Sequence, residues 1–281
     1  MSLQGTQTSY KKINCCICNN LSNTNHYKVI DGFNLNKCKL CDLIFLESVK
    51  IDSKQFINDS KEDNEIEYWS FPNLYKKYRE IFDGFFQQRW ERVCLFNKNV
   101  KTHLDIGVGY GFWANFLNFK NVSTFGIEPS VEAANYAIEN FQLKVEKKCV
   151  EEFESDKKFD LISMFDVLEH LESPIEALSS IKEKLNDDGI LYIQVPNVIG
   201  LRFPYGHGLG LPHHIWQFNP KSLIRLLEKS DFEVLSYWTG IQGVIGEYEK
   251  GGPSLMLKLK WKIANKLKIG NRVQVIAKKK L

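Results

Sequence analysis

The sequence of 281 residues predicts an α/β fold in which a doubly wound parallel sheet follows a small N-terminal cysteine-rich module. From residue 103 to residue 278, short apolar runs alternate with stretches of helical spacing, which is typical of a parallel sheet with crossover helices. Before residue 42, four cysteines fall in two pairs of the form C-x-x-C. The length accommodates one full α/β domain plus a small appendage.

Composition narrows the classes of partner. The formal net charge of +3 is modest and the basic residues are spread along the chain, so charge gives no indication of a nucleic-acid partner. No apolar run reaches the roughly 18 to 20 residues that a membrane span needs, and the polar N-terminus lacks the apolar segment of a signal peptide. We therefore expect a cytoplasmic protein without a membrane partner, whose seven cysteines bind metal or stay free thiols.

The two cysteine pairs predict a structural zinc site in a module of residues 10–48. The pairs Cys15/Cys18 and Cys38/Cys41 let four thiolates converge on one tetrahedral ion. Four protein ligands close the coordination shell, so such a site is structural rather than catalytic. Cys16 could replace a neighbouring ligand, and free thiols are the alternative to a metal.

A hairpin, a linker and a helical cap are expected around this module. Residues 26–30 and 33–35 flank an Asp-Gly turn. The polar, acidic stretch 49–67 is expected to be a linker that leads into a main domain of residues 68–281. Between residues 68 and 96, aromatic side chains recur at three- and four-residue spacing, which predicts an amphipathic helix. We favour simple packing of this helix on the main domain over a role in capping a ligand pocket.

A strand that breaks into a glycine-rich turn is the most informative stretch of the chain. Residues 103–106 predict a buried strand, Gly107, Gly109 and Gly111 follow at two-residue intervals, and a helix begins at Phe112. Glycines let the backbone turn sharply and approach a ligand, and the helix N-terminus offers N–H groups to an anionic group. A dinucleotide fingerprint needs a small residue where Phe112 stands. The spacing therefore disfavours a dinucleotide and favours a different nucleotide-like ligand on this turn.

Further candidate site residues follow the next strands. Glu128 ends the second strand about 20 residues after the turn, where a carboxylate accepts hydrogen bonds from both ribose hydroxyls of a nucleoside. Another apolar strand ends at Asp166, and Glu169 and His170 come directly after it. Because the carboxyl ends of parallel strands meet at one edge of the sheet, we expect these side chains to face the glycine turn.

The remaining elements complete the alternation. We expect helices over 112–119, 130–140, 174–185, 220–229 and 255–267, and strands over 122–129, 143–150, 159–166, 189–196, 232–238 and 272–278. Ser130 is the expected N-cap of the second helix. Residues 201–218 form a long loop, which predicts a lid. The lysines of the helix over 255–267 are interpreted as a solvated face rather than a membrane surface.

The motif Asp105-x-Gly107-x-Gly109-x-Gly111, followed by Glu128-Pro129 and by the run 159–170, resembles the class I S-adenosylmethionine-dependent methyltransferases from about residue 80 to the end. The resemblance implies a Rossmann-like sheet whose last strand is antiparallel, with S-adenosylmethionine as cofactor. It implies that Asp105 braces the turn and that Asp166 meets the amino-acid part of the cofactor. The implied cofactor-binding residues are Asp105, Gly107, Gly109, Gly111, Glu128, Pro129, Val150, Phe165 and Asp166.

Two flanking segments narrow the resemblance. The cysteine module is similar to the zinc-bearing N-terminus of bacterial small-molecule methyltransferases, including sugar C-methyltransferases, and residues 213–234 look like an end segment of the same group. Sugar C-methyltransferases carry a further C-terminal domain, whereas we expect one methyltransferase domain here, which disfavours sugar C-methylation. The run Asp166-x-x-Glu169-His170 is similar to the E-x-x-E-H run of quinone-biosynthesis O-methyltransferases, a candidate divalent-ion site, with Asp in place of the first Glu.

The resemblance implies methyl transfer to a small-molecule acceptor, which we expect to be a sugar or nucleotide-linked metabolite of surface-glycan or secondary metabolism, with O-methylation favoured. The protein would align the acceptor with the sulfonium methyl and remove a proton. Histidine is the natural base near neutral pH, and the candidates are His170, His213 and His214. The alternatives are a non-catalytic S-adenosylmethionine-binding protein and a C- or N-methyltransferase. Phe112 disfavours a nucleotide-sugar oxidoreductase, and the lack of an Asn/Asp-Pro-Pro-Tyr run disfavours a nucleic-acid methyltransferase.

Overall fold

The fold consists of a cysteine-rich module and a larger α/β domain, and the computed structural model describes residues 10–20, 22–50, 72–200, 209–240 and 254–280. The module contains β1 (Tyr10–Lys12), β2 (Thr24–Ile30), β3 (Phe33–Cys38), β4 (Ile44–Leu46) and β5 (Ser48–Lys50). The main domain contains α1 (Pro72–Lys77), α2 (Arg79–Phe96), β6 (Thr102–Ile106), α3 (Phe112–Asn118), β7 (Ser123–Ile127), α4 (Val131–Phe141), β8 (Lys144–Glu146), β9 (Phe159–Phe165), α5 (Pro174–Glu183), β10 (Leu185–Pro196), β11 (Trp216–Gln217), α6 (Pro220–Lys229), β12 (Phe232–Gly240), α7 (Leu255–Lys266) and β13 (Arg272–Lys279).

The main domain is organised on a seven-stranded sheet in the order β12-β13-β10-β9-β6-β7-β8. The strands from β10 to β8 are parallel to one another, and β13 runs antiparallel between β10 and β12. The predicted Rossmann-like sheet with an antiparallel last strand is therefore confirmed. Both faces of the central strands are buried, as the apolar sequences of β6, β9 and β10 require.

Two strands differ from their predicted bounds by more than two residues at one end. β10 begins at Leu185 rather than at Gly189, and its pairing with β9 shifts register between Leu185 and Ile190. A Cβ atom on Gly189 would lie 2.8 Å from the carbonyl oxygen of Phe159, so this irregular stretch requires glycine. The strand predicted over 143–150 is only three residues long, and a short 3-10 turn follows at Val150–Glu152.

The aromatic segment before β6 forms the helices α1 and α2, and residues 68–71 lie outside the described part of the chain. Tyr75 stacks on Phe112, the first residue of α3, with ring centroids 4.0 Å apart. Phe86 packs against Trp113 with centroids 5.8 Å apart. The helical cap thus packs on the helix that follows the glycine turn.

No helix in the described ranges is long and apolar enough to cross a membrane.

The cysteine module is joined to the main domain by a shared sheet and by α6. β2, β3 and β4 form a sheet that β11 of the main domain extends, since Trp216 pairs with Phe45. The predicted hairpin between β2 and β3 is confirmed, and its turn residues Asp31 and Gly32 both have positive φ. The linker expected over 49–67 begins inside β5, and residues 51–67 are outside the described ranges.

Polar contacts from α6 hold the cysteine module in place. The side-chain amide of Asn219, which caps α6, donates to the carbonyl of Asp42 over 3.1 Å. Lys221 forms an ion pair with the Asp42 carboxylate, and Arg225 donates to the carbonyl of Leu40 over 2.6 Å. The second cysteine pair is therefore anchored directly to the main domain.

Four sulfur atoms converge inside the module. The sulfurs of Cys15, Cys18, Cys38 and Cys41 all lie within 4.8 Å of one another, and Cys16 is outside this group. Each C-x-x-C turn closes with a backbone hydrogen bond, from the Asn19 N–H to Cys15 and from the Asp42 N–H to Cys38.

The chemistry of this sulfur cluster suits a cation. Burial raises the pKa of Cys18 to about 11, and the hydrogen bond with Cys15, followed by burial, raises the pKa of Cys41. These thiols would ionise only with a cation to compensate them. The four sulfur ligands fit a closed structural zinc site.

We expect Cys38→Ser to lose its zinc, with at least about a tenfold loss of affinity, because structural zinc binding in such modules is worth about 10–16 kcal/mol and requires all four thiolates. Metal content after dialysis, measured by mass spectrometry, and thermal unfolding would check this. Cys94→Ser, a half-buried thiol on α2, is the matched control. Zinc retained in Cys38→Ser, or lost in Cys16→Ser, would contradict the assigned ligand set.

Candidate functional site

Most of the predicted cofactor-binding residues lie at the edge where β6, β7, β9 and β10 end, which we call the carboxyl edge. The glycine turn follows β6, Glu128 follows β7 and Asp166 follows β9. β6 pairs in parallel with both β7 and β9, so these three strand ends are neighbours. Ligands of open α/β sheets bind in this position.

All three glycines of the turn have a left-handed backbone, and two of them also lack the space for a side chain. Gly107, Gly109 and Gly111 have φ angles of 72°, 54° and 83°. A Cβ atom on Gly107 would overlap Val167, and one on Gly111 would lie 2.8 Å from the Cβ of Ala137. A Cβ atom on Gly109 would meet no described atom within 4 Å. The turn therefore has an open side at Gly109, where a ligand can approach the backbone.

The Glu128 carboxylate is hydrogen-bonded to the backbone of this turn. Its Oε2 accepts a hydrogen bond from the Gly109 N–H over 2.8 Å, and its Oε1 accepts one from the Ser130 N–H over 2.9 Å. Burial raises the pKa of Glu128, and the two N–H donors oppose that shift. Pro129 is half-buried beside it, and Ser130 caps α4 by accepting from the Ala133 N–H. The acidic group is thus positioned by the start of α4.

Asp105 lies beneath the turn in a buried polar group. The Ser163 hydroxyl donates to its carboxylate over 2.5 Å and lies 2.6 Å from Nε2 of His103. Burial raises the pKa of Asp105 to about 7 and lowers the pKa of His103 to about 3. This contact ties β6 to β9 directly below the glycine turn, and the sequence analysis did not identify Ser163 as its partner.

Asp166 belongs to a charged network that the sequence analysis missed. Its φ of 55° turns the chain away from β9. Its Oδ2 accepts from Nε2 of Gln194 over 2.7 Å, and its Oδ1 lies 3.0 Å from Nε of Arg272. Gln194 in turn accepts from Arg89 of α2 over 3.0 Å. The network therefore connects Asp166 to the helical cap.

Arg89 also determines the surroundings of Phe165. Its guanidinium lies over the Phe165 ring, 4.2 Å from the centroid, and burial lowers the pKa of Arg89. Phe165 makes an edge contact with Tyr192 on the same side of the sheet. In the sequence, Arg89 follows Phe86 by three residues, and this spacing already indicates an arginine on the aromatic face of α2.

Three polar side chains form a second cluster after β9. Glu169 and His170 lie on a 3-10 turn (Leu168–His170), and His214 comes from the segment before β11. One ligand atom from each lies within 4.8 Å of the others. Both oxygens of the buried Glu169 and Nδ1 of His214 have no hydrogen-bond partner among the described residues. This set of donors suits a divalent cation.

Backbone carbonyls orient the histidines of this cluster. Nδ1 of His170 is 3.0 Å from the carbonyl oxygen of His213, and the rings of His170 and His214 are edge to face with centroids 4.6 Å apart. Burial lowers the pKa of His170 to about 4, and burial followed by the neighbouring His170 lowers that of His214. Burial also raises the pKa of Glu169. Both rings are therefore neutral near pH 7.

The cysteine module contributes to the position of His214. β11, two residues beyond His214, pairs with β4 of the module. Nε1 of Trp216 donates to the carbonyl of Leu171 over 2.7 Å, and the amide of Gln217 donates to the carbonyl of His214 over 2.9 Å. The strand that the module holds is thus bonded on both sides of the Glu169–His170–His214 cluster.

The remaining predicted residues are Val150 and His213. The Val150 side chain is buried in the main core. His213 is half-buried and approaches His170 through its carbonyl group. The predicted lid, 201–218, is described only from residue 209.

Comparisons with known proteins agree with this geometry. Residues 75–237 match a family model described as a methyltransferase domain. A ubiquinone biosynthesis O-methyltransferase of Glaesserella parasuis serovar 5 (strain SH0165) is 29% identical over 160 residues, which cover 50% of this chain and 66% of that protein. The chain thus spans just under two thirds of that relative's length. An (S)-coclaurine N-methyltransferase of Papaver somniferum is 29% identical over 107 residues, covering 34% of this chain and 30% of that protein.

Solved structures share the fold at low sequence identity. The plantazolicin methyltransferase BpumL, in complex with a triazolic desmethylPZN analog and SAH, has a TM-score of 0.56 and 18% identity, and the match covers 82% of this chain and 96% of that one. The [4+2]-cyclase SpnF has a TM-score of 0.52 and 16% identity, with 71% and 81% covered. From the sheet order, the glycine turn and the family match over more than half its length, the chain belongs to the class I S-adenosylmethionine-dependent methyltransferase family.

Proposed function

We propose that this protein transfers a methyl group from S-adenosylmethionine to the hydroxyl group of a small-molecule acceptor. The observation that carries the proposal is the pairing of an open backbone position at Gly109 with the Glu128 carboxylate, 2.8 Å from its N–H. This arrangement supplies a carboxylate for ribose hydroxyls beside a turn that a nucleoside can approach. The family membership supports the same ligand.

In this proposal, the residues of the carboxyl edge bind and orient. Glu128 accepts from the ribose hydroxyls, and Asp166, held by Gln194 and Arg272, accepts from the amino group of the methionine part. S-adenosylmethionine supplies an activated methyl group: its S–C bond breaks as the bond to the acceptor oxygen forms, and the acceptor loses a proton. Alignment and proton removal are then the work of the protein.

The Glu169–His170–His214 cluster is our candidate for handling that proton. Both imidazoles are neutral near pH 7, so each has a lone pair to accept it. Their lowered pKa values make them weak bases alone, since an efficient base has a pKa near the working pH. Alternatively, these lone pairs and Glu169 would hold a divalent cation, which would supply a Lewis acid for the acceptor hydroxyl in place of a histidine base.

The acceptor class rests on resemblance. O-methylation is favoured because the ubiquinone biosynthesis O-methyltransferase matches 50% of this chain, whereas the (S)-coclaurine N-methyltransferase matches 34%. A sugar or nucleotide-linked acceptor is favoured by the cysteine module, which resembles that of small-molecule methyltransferases. The second candidate function is cofactor binding without methyl transfer, because a [4+2]-cyclase has the same fold. Release of S-adenosylhomocysteine over a panel of nucleotide sugars and phenols would separate the two.

We expect Glu128→Ala to weaken S-adenosylmethionine binding at least about tenfold, because each charge-assisted hydrogen bond contributes about 1.5–3 kcal/mol. Isothermal titration calorimetry would measure this, with NADH as a ligand that should not bind. Glu139→Ala, which removes an exposed carboxylate on the following helix α4, is the matched control. Failure of the zinc-loaded wild type to bind S-adenosylmethionine would overturn the proposed function.

Gly109 and Gly111 should respond differently to alanine. Gly111→Ala combines a left-handed residue with overlap against Ala137, so we expect a loss of unfolding free energy of about 2 kcal/mol or more. Gly109→Ala carries only the backbone strain, about 1–2 kcal/mol, and should weaken cofactor binding while the protein stays folded. Urea unfolding and calorimetry would check both. Wild-type binding by Gly109→Ala would show that the ligand does not approach that side of the turn.

Glu169→Gln should remove a second metal ion while the zinc of the cysteine cluster remains. The neutral amide removes the anionic ligand from a site of two histidines, so we expect at least about a tenfold loss of divalent-ion affinity. Metal content and the rate of methyl transfer would be measured after dialysis against Mn²⁺ or Zn²⁺. Glu172→Gln, an exposed neighbour, is the control. Equal metal content in wild type and Glu169→Gln would contradict a cation site that depends on Glu169.

A further inference from the structure

Among the described residues, one side of the helix α7 packs against the protein. Ala264 is buried and packs with Phe85, Trp261 and Ile269. The opposite side exposes large apolar residues, and Leu255 and Met256 are 86% and 68% exposed. The exposed apolar side chains are Leu255, Met256, Leu259, Ile263 and Leu267. On a helix with 3.6 residues per turn they form one continuous stripe, which we call the α7 stripe.

Lysines border the α7 stripe on both sides. Residues 254–269 include Lys258, Lys260, Lys262, Lys266 and Lys268 and no acidic residue. On the helical projection, Lys258 and Lys262 lie along one side of the stripe and Lys260 along the other, while Lys266 lies within the stripe at the last turn of the helix. Lys268 lies over the ring of Tyr237, 3.9 Å from its centroid, which helps to fix the end of the helix on β12.

α7 belongs to a connection that leaves and re-enters the sheet at the carboxyl edge. β12 runs parallel to β10 and ends at Gly240, and antiparallel β13 begins at Arg272. Arg272 is the residue that pairs with Asp166. The stripe is therefore carried by the same connection that supplies a residue of the candidate site.

We infer that the α7 stripe docks on an anionic lipid surface. Apolar side chains would enter the boundary between head groups and acyl chains, and the bordering lysines would remain at the level of the phosphates. Charge complementarity favours lipid over protein, because lysine is depleted from the cores of protein interfaces, whereas basic amphipathic helices are typical of anionic membrane surfaces. This inference departs from the solvated face expected from sequence.

Docking has a consequence for the acceptor that rests on the proposed function. Because α7 ends six residues before Arg272 at the carboxyl edge, docking through α7 would keep this edge near the bilayer. An acceptor carried on a lipid would then be reached without leaving the membrane surface. The docking itself does not depend on methyl transfer.

Co-flotation of the full zinc-loaded chain with vesicles tests the inference. We expect binding to vesicles of phosphatidylcholine with phosphatidylglycerol, little binding to phosphatidylcholine alone, and weakening by salt. Lys258→Ser/Lys262→Ser and Leu259→Ser/Ile263→Ser should each reduce binding at least about fivefold, since they remove the electrostatic and the apolar contribution in turn. Lys144→Ser/Lys147→Ser, which removes two exposed lysines at the opposite edge of the sheet, should bind like wild type.

Several outcomes would overturn the inference. Wild type that does not float with anionic vesicles would do so, as would binding that both α7 variants retain. An oligomer that light scattering detects in wild type and that Leu259→Ser/Ile263→Ser abolishes would assign the stripe to a second copy of the chain. S-adenosylmethionine titration of each variant keeps the proposed function separate, since a variant that binds the cofactor normally but no longer floats has lost only docking.

Discussion

The hydrogen bond from the Gly109 N–H to Glu128 is the interaction on which the geometry of the site depends. It joins the turn after β6 to the residue after β7, so two adjacent strand ends and the helices that begin there, α3 and α4, are held together. The left-handed glycines let the turn pack closely on its surroundings, because side chains at Gly107 and Gly111 would overlap Val167 and Ala137. The buried contact between Ser163 and Asp105 supports the same turn from below.

Buried charge on the far side of the turn is organised by pairing. Asp166 is held between Gln194 and Arg272, and Gln194 passes the contact to Arg89 of the helical cap. The cap therefore packs on α3 and also supports the acidic group at the end of β9. Glu169 lies just beyond this network and has no donor among the described residues. The paired carboxylate of Asp166 therefore suits an organic ligand, whereas the carboxylate of Glu169 suits a cation.

The cysteine module contributes to more than stability. Its sheet is completed by β11, which is bonded to Leu171 on one side and to the His214 carbonyl on the other. Metal binding at the four cysteines would order β3 and β4, and through β11 it would order the segment that bears His214. The module and the histidine cluster are thus connected through the pairing of β4 with β11. About 170 residues of chain separate these two strands, so only folding brings them into contact.

Much of the architecture was determined by local sequence. Alternating apolar strands and capped helices, the spacing of Gly107, Gly109 and Gly111, and the two C-x-x-C pairs depend on neighbours in the chain, so their physical requirements could be read directly. The position of Glu128 about 20 residues after the turn followed from the βαβ unit, whose length is nearly constant.

Tertiary structure alone decided the contacts between distant segments. Arg89 with Gln194, Ser163 with Asp105, and His214 with His170 and Glu169 come from separate elements, and no periodicity links them. The anchoring of the module on α6 and the exposed side of α7 were likewise set by which faces the sheet left to cover, since helical spacing identifies an apolar stripe but not what packs against it.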